Sequence, residues 1–178
     1  MPNHSAPDSI LSGNLSNQGL QQIVDRLIQR MKRDTLVQTT THQLRNRLGI
    51  DRVVLYYFAE QWSGRVTFES LSADEFSILG STGPDDCFNS DYADMYLAGR
   101  VKAIADIDQE AIADCHREFL RGLKVRANLV VPVLTGDTLW GLLVAHHCQS
   151  VRPWSPSDIE LFQKAAAQLA SAPSIRDS

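Results

Sequence analysis

An α+β domain built on one antiparallel sheet is the architecture that this 178-residue sequence predicts. Three observations carry that prediction. Apolar residues at helical spacing bracket the chain, at 20–31 and 159–169. Between them, β-branched and aromatic runs come in two neighbouring pairs, 53–58 with 65–71 and 125–134 with 138–147. Each pair is joined through a short turn, Ser63-Gly64 or Gly136-Asp137, which reads as a hairpin and so as antiparallel pairing. Terminal helices packed on one face of such a sheet leave the other face free for a ligand pocket.

The elements follow in order. Residues 1–17 are rich in Ser, Asn and Pro and read as a flexible N-terminal segment. Leu20, Ile23, Val24, Leu27, Ile28 and Met31 then repeat at i, i+3, i+4 and i+7, the stripe of an amphipathic helix. Val37, Leu44 and Leu48 extend it towards residue 48, against the β-branched run Thr39-Thr40-Thr41. After the first hairpin, residues 72–90 carry Gly80, Gly83 and Pro84 and read as a long loop, a feature that is usually functional or disordered. Tyr92, Met95 and Tyr96 suggest a short helix ending at Gly99, and residues 101–104 a short strand. Asp108 can cap a helix running to about Arg121 and stopping near Gly122. In the last helix Ser155 caps, Pro156 takes the first position, Asp158 completes a capping box, and Ile159, Phe162, Ala166 and Leu169 form the buried stripe. The expected organisation is one domain over 18–170, followed by a tail at 171–178.

Composition narrows the function. The apolar fraction of 43% and charged fraction of 21% are those of a globular domain. A net charge of −4 leaves no basic footprint for nucleic acid. No apolar run is long enough to span a membrane, and the N-terminus lacks the charged start and apolar core of a secretory signal. Three cysteines, an odd number, argue against a disulfide framework and for a reducing, cytoplasmic setting. No phosphate-binding loop, GxSxG, HExxH or paired CxxC occurs, so neither a catalytic site nor a metal site is expected. His146 and His147 are adjacent on a strand, point to opposite faces, and cannot share one metal without distortion.

The informative residues are Asp85-Asp86-Cys87-Phe88, then Tyr96-Leu97-Ala98-Gly99-Arg100-Val101, Cys115-His116, Ala127-Asn128-Leu129-Val130-Val131-Pro132, and Leu139-Trp140-Gly141-Leu142-Leu143-Val144-Ala145-His146. In this order, over about residues 20–169, they resemble the bilin-binding GAF domains of cyanobacteriochromes, relatives of the phytochromes. The Asp-x-Cys-Phe motif points to the subgroup with a second reactive cysteine, as does Gly83-Pro84 where red-absorbing relatives often carry a tryptophan.

The resemblance implies a role for each residue. Cys115 anchors a linear tetrapyrrole, phycocyanobilin or its isomer phycoviolobilin, by a thioether to ring A, which requires an accessible thiol with thiolate character. His116 lies beside the inner pyrrole nitrogens. Arg100 grips a propionate with its guanidinium fork, unless it pairs instead with an acid such as Asp106, and Tyr96 can offer its hydroxyl to the same carboxylate. His146 lies near ring D, the ring that rotates on light absorption. Asp85 accepts from pyrrole N–H groups, Cys87 adds reversibly at the central methine bridge and shortens the conjugated system, and Phe88 of the same motif completes the set of cofactor-contacting residues. Cys148, at a strand end, reads as structural.

The expected function is that of a photoreceptor module, not an enzyme, switching between two light-absorbing states and signalling to an output domain or partner protein. A homodimer through the helices at 20–48 and 155–169 is a further expectation. Two other GAF activities compete: free methionine sulfoxide reduction, kept open by the three cysteines, and small-ligand or cyclic-nucleotide binding, for which no Asn-Lys-x-Phe-Asp signature is present.

Overall fold

The structure, a computed structural model, describes residues 8–60, 63–83 and 90–178. The helical stripe at the start of the chain forms two helices, α1 (Asp8–Met31) and α2 (Thr35–Leu48). The break falls at Asp34, whose Oδ1 accepts from the Leu36 and Val37 N–H groups at 3.1 and 3.3 Å and so starts a new helix where the sequence suggested one continuous helix. The threonine run is accommodated inside α2, where Thr41 Oγ1 donates to the Val37 carbonyl at 2.8 Å. Gly49 ends α2 in the left-handed conformation at φ 61°.

Five strands follow: β1 (Arg52–Glu60), β2 (Ser63–Leu71), β3 (Lys102–Ile104), β4 (Ala127–Thr135) and β5 (Thr138–His147). They form one sheet in the order β2-β1-β5-β4-β3, with every pair antiparallel. Both expected hairpins are present, and β1 and β5 join them at the centre. Gly141 allows that junction, because a Cβ there would stand 2.0 Å from the Tyr56 carbonyl oxygen. The family-like Leu139-Trp140-Gly141-Leu142-Leu143 segment therefore has a backbone reason for its glycine.

Strand alternation sorts the side chains into two layers. Val53, Leu55, Leu129, Val131, Leu143 and Ala145 face the helices and pack with Met31, Val37, Leu44, Phe162 and Leu169 in the main core. Val54, Val130, Leu142 and Val144 face the other way and form a second apolar layer with Val66 and Tyr96. The helix side is closed by α1, α2 and α5 (Pro156–Leu169), whose Ser155 and Asp158 form the predicted capping box. Residues 171–178, read from the sequence as a tail, carry α6 (Pro173–Arg176), with Ile175 only 1% exposed. Ser174 N–H donates to Asp34 Oδ2 at 2.9 Å, Arg30 reaches the Pro173 and Asp177 carbonyls, and Trp140 Nε1 donates to Ser178 Oγ at 2.7 Å. These bonds tie the end of the chain to α1, to the start of α2 and to β5.

Candidate functional site: a cavity on the sheet face opposite the main helices

Two helices stand over the second apolar layer, α3 (Ser90–Leu97) and α4 (Asp114–Gly122). The sequence placed the start of α4 at Asp108, but the helix begins six residues later. Asp108 does not cap it: its Oδ1 accepts from Arg121 Nε and Nη2 at 3.1 and 2.8 Å, while its own N–H donates to Asp106 Oδ1. Arg117 then fixes the helix to the preceding turn, donating to the Ile107 and Glu110 carbonyls at 2.9 and 2.7 Å and to Asp114 Oδ1 at 3.0 Å. Cys115 and His116 in the first turn of α4 are thereby held in a set orientation.

Between this helix and the sheet lies a cavity with about 790 Å³ of empty space, part of it continuous with solvent. Its walls are mostly apolar: Val54, Val66, Val130, Leu142 and Val144 from the sheet, Ile78 from the loop after β2, Phe119 and Leu120 from α4, with the rings of Tyr56, Phe58 and Tyr96. A few polar groups converge on it, namely Lys102, His116, Asn128 and His146.

The sequence-predicted residues distribute as follows. His116, Tyr96 and His146 line the cavity. Burial, reinforced by the nearby positive charges of Lys102 and Arg100, pushes the His116 imidazole below its ordinary value, so the ring is neutral at pH 7. Cys115, expected as a reduced thiol, is disulfide-bonded. The Arg100 guanidinium lies over the Tyr96 ring at 5.6 Å and its Nη1 is 3.2 Å from Met95 Sδ. The alternative of an Arg100 pair with Asp106 is not realised, because Asp106 takes Arg126 Nε at 3.2 Å. Asp85, Cys87 and Phe88 lie outside the described residues. Cys148 is a free, half-buried thiol that burial pushes above its ordinary value, in keeping with a structural role.

His146 and His147 do face opposite ways. His146 is 4% exposed on the cavity side, and its Nδ1 accepts from Arg52 Nε at 3.0 Å. His147 lies with its Nδ1 3.3 Å from Asp51 Oδ2. Burial pushes the Asp51 carboxyl up, but N–H donation from Cys148 at 2.8 Å, with Gln149 and Ser72, outweighs this and keeps it ionised.

Sequence reasoning missed Arg52. Its side chain is 1% exposed and spans three segments: His146, the Phe76 carbonyl, and the Leu123 carbonyl just past α4 at 2.7 Å. A cation opening a strand gives no sequence signal for burial. Asn128 was quoted in its motif without a role. It is 3% exposed, and its Oδ1 has no hydrogen-bond partner among the described residues. No group of metal-ligating side chains occurs among the described residues, and no described helix is long and apolar enough to cross a membrane.

The family model for the GAF domain matches residues 32–172. An uncharacterized protein of Picosynechococcus is 47% identical over 154 residues, covering 86% of this chain and 94% of that one. The blue-light-absorbing form of the PixJ GAF domain of Thermosynechococcus elongatus is 35% identical with a TM-score of 0.71, over 78% of this chain and 83% of that one. The phycocyanobilin-bound GAF domain of a cyanobacterial phytochrome is 29% identical with a TM-score of 0.70, over 89% and 94%. The circadian input-output histidine kinase CikA of Synechocystis is 28% identical over 194 residues, but this chain spans only 26% of its length. The likeness is to sensory GAF domains rather than to catalytic domains.

Proposed function

We propose, from the premise that this chain is a GAF domain of the cyanobacteriochrome and phytochrome kind, that it is a photoreceptor module holding a linear tetrapyrrole in the cavity beneath α4. The observation that carries the reading is the cavity itself: apolar and aromatic walls, with His116 of the Cys115-His116 pair in its lining and a buried polar atom, Asn128 Oδ1, that has no hydrogen-bond partner among the described residues at its floor. A planar conjugated ligand with a few polar edges matches that lining.

The bound bilin supplies the colour and the isomerisable methine bond; the protein supplies position and electrostatics. Cys115 Sγ forms the thioether to ring A, its proton passing to the neighbouring carbon of the vinyl or ethylidene group. The disulfide at Cys115 must be reduced first, since only the thiolate adds. His116 stays neutral and can accept from pyrrole N–H groups. Arg100 is the residue assigned to a propionate, and Lys102, which lines the cavity and is paired with Glu110 at 3.1 Å, is a second cation for that role. Cys87 acts as the second, reversible linkage and Asp85 holds the inner nitrogens, with Phe88 packed beside them. Z/E isomerisation then separates a short-wavelength state, with the Cys87 adduct, from a longer-wavelength one. The change passes through the terminal helices to an output domain or partner protein, and a homodimer through these helices is part of the proposal, as is a cytoplasmic setting.

Expression in a host that makes phycocyanobilin, followed by reduction, tests the reading. A coloured, photoconvertible protein whose denatured band fluoresces with zinc is the expected result. Cys115→Ala should abolish that fluorescence, and Cys87→Ser should remove the short-wavelength state while leaving the bilin attached. A wild type that takes up no bilin, or a Cys115→Ala band as bright as wild type, refutes the attachment.

A further inference from the structure

The chain between β3 and β4 forms a body of its own. Ile107, Leu120 and Val125 pack with Ile104 in a small apolar cluster, joined by Ile112, Phe119 and Leu123, which shares no residue with the main core or the second layer. Its polar side chains also bond within the segment. Arg117 donates to the Ile107 and Glu110 carbonyls and to Asp114, Arg121 donates to Asp108 and Glu118, and Arg126 at the exit donates to Asp106. The Ile107 N–H donates to the Arg126 carbonyl at 3.0 Å and draws the two ends together. From the sheet, Arg52 Nη2 reaches the Leu123 carbonyl at 2.7 Å, and Lys102 Nζ reaches Glu110 Oε1 at 3.1 Å.

The two places where the chain enters and leaves this body differ. On entry the backbone is fixed: the Ile104 carbonyl accepts from Trp154 Nε1 and the Ala105 carbonyl from the Arg152 N–H, both at 3.0 Å. On exit α4 ends in a paired turn, with the Lys124 N–H donating to the Arg121 carbonyl and the Val125 N–H to the Leu120 carbonyl, both at 2.9 Å. That turn needs a residue in the left-handed conformation, usually glycine. Here it is Lys124, at φ 60°, the one non-glycine residue with positive φ among the described residues. A side chain disfavours that conformation, so the turn holds α4 in place less firmly than glycine would. The same body is a wall of the cavity, which His116, Phe119, Leu120 and Leu123 line. Cys115 is exposed on it, about 13 Å along the helix from Lys124 at a rise of 1.5 Å per residue, so a turn at Lys124 moves that end most.

We propose that residues 106–125 swing open as one body between Ala105 and Lys124, and that this opening admits the ligand to the cavity. The proposal rests on the bilin-binding reading and supplies its route of entry: a wide apolar tetrapyrrole passes between α4 and the sheet before Cys115 bonds it. Opening breaks the Arg52–Leu123 bond and the Lys102–Glu110 pair but keeps the small cluster and the arginine bonds inside the body. A unit that keeps its own contacts opens at a lower cost than the whole domain unfolds.

The test uses the full chain, reduced, without bilin for hydrogen exchange and with added phycocyanobilin for loading. Exchange followed by mass spectrometry should show peptides from 106–112 and from 114–123 opening at one common rate, at least about tenfold faster than β4 and β5. Lys124→Gly relieves the left-handed strain and should slow both that exchange and covalent loading by about three- to tenfold. Lys124→Val worsens it and should speed both, with β4 and β5 unmoved. Lys124→Gly decides the matter alone if Lys124→Val does not fold. Separate rates for the two sets of peptides, or exchange no faster than in β4, overturn the single body. A loading rate that stays constant while exchange shifts overturns the route of entry. A wild type that loads no bilin removes the bilin reading and the route together, and the exchange pattern, which is measured without bilin, tells that failure from a failure of the body to open.

Discussion

Replacing Arg52 with methionine tests whether the buried guanidinium is the clasp between the sheet, the loop after β2 and α4. Three acceptors lose their donor: His146 Nδ1, the Phe76 carbonyl and the Leu123 carbonyl. A buried acceptor left unpaired costs about 1–3 kcal/mol. Against that stands the desolvation of the guanidinium, several kcal/mol, which the substitution relieves. With methionine filling most of the space, the net loss should be about 3 kcal/mol. For a domain of this length that is a fall in Tm of about 6–12 °C. Urea unfolding followed by far-ultraviolet circular dichroism at pH 8, where the histidines are neutral in both states, gives the difference directly. The denaturant slope should be unchanged, since the surface exposed on unfolding hardly alters. Arg52→Lys should recover only part of the loss, because a single ammonium cannot reproduce the three-way fork. A Tm for Arg52→Met within about 2 °C of wild type would show that relief of the buried charge balances the lost bonds, and the clasp argument would fall.

Two further perturbations follow from the same structure. Burial, then Arg52, depresses His146, and burial, then Lys102 and Arg100, depresses His116, so the folded protein keeps both rings neutral while the unfolded chain takes up protons below about pH 6.5. Their contribution to stability is therefore fully present above that pH and is lost as pH falls, by up to about 1.4 kcal/mol per pH unit for each ring. Urea midpoints that do not change between pH 7 and pH 5, or a slope unaltered in His146→Gln, would contradict this. Gly141→Ala would place a methyl 2.0 Å from the Tyr56 carbonyl and 3.2 Å from Tyr57 Cα, a clash with backbone rather than with a side chain that can swing away. It should cost about 3 kcal/mol or more and reduce soluble yield; a wild-type urea midpoint would show that β1 and β5 can separate at no cost.

The sheet was legible because its signal is local. Runs of alternating or continuous apolar residues with Gly-containing turns specify hairpins within about twenty residues of chain, and both hairpins occur where expected. The Ser155 box was legible for the same reason. The errors fell where long-range contacts override a local sign. Asp108 has the composition of a cap, but Arg121, thirteen residues away, takes its carboxylate. Asp34 was passed over inside an apolar stripe, although its bonds to Leu36, Val37 and Ser174 set both the start of α2 and the docking of the chain end. At the site, family resemblance picked out His116, Tyr96 and His146, and all three line one cavity. Arg52 and Asn128 were not legible as site residues, because what marks them is burial, and burial of a polar side chain is decided by the fold around it.

The alternation of β1 gives the sheet a mechanical property. Tyr56 lines the cavity; Tyr57, the next residue, lies on the opposite face with its ring 5.1 Å from that of Trp140, and the Trp140 indole holds Ser178 at the end of the chain. Consecutive side chains on a strand are rigidly opposed about its axis. Any twist of β1 that swings the Tyr56 ring into the cavity carries the Tyr57 ring the other way, against the tryptophan and the end of the chain. The strand is thus a rocker, pivoting on its hydrogen bonds to β2 and β5, with one arm in the cavity and the other resting on the C-terminal residues.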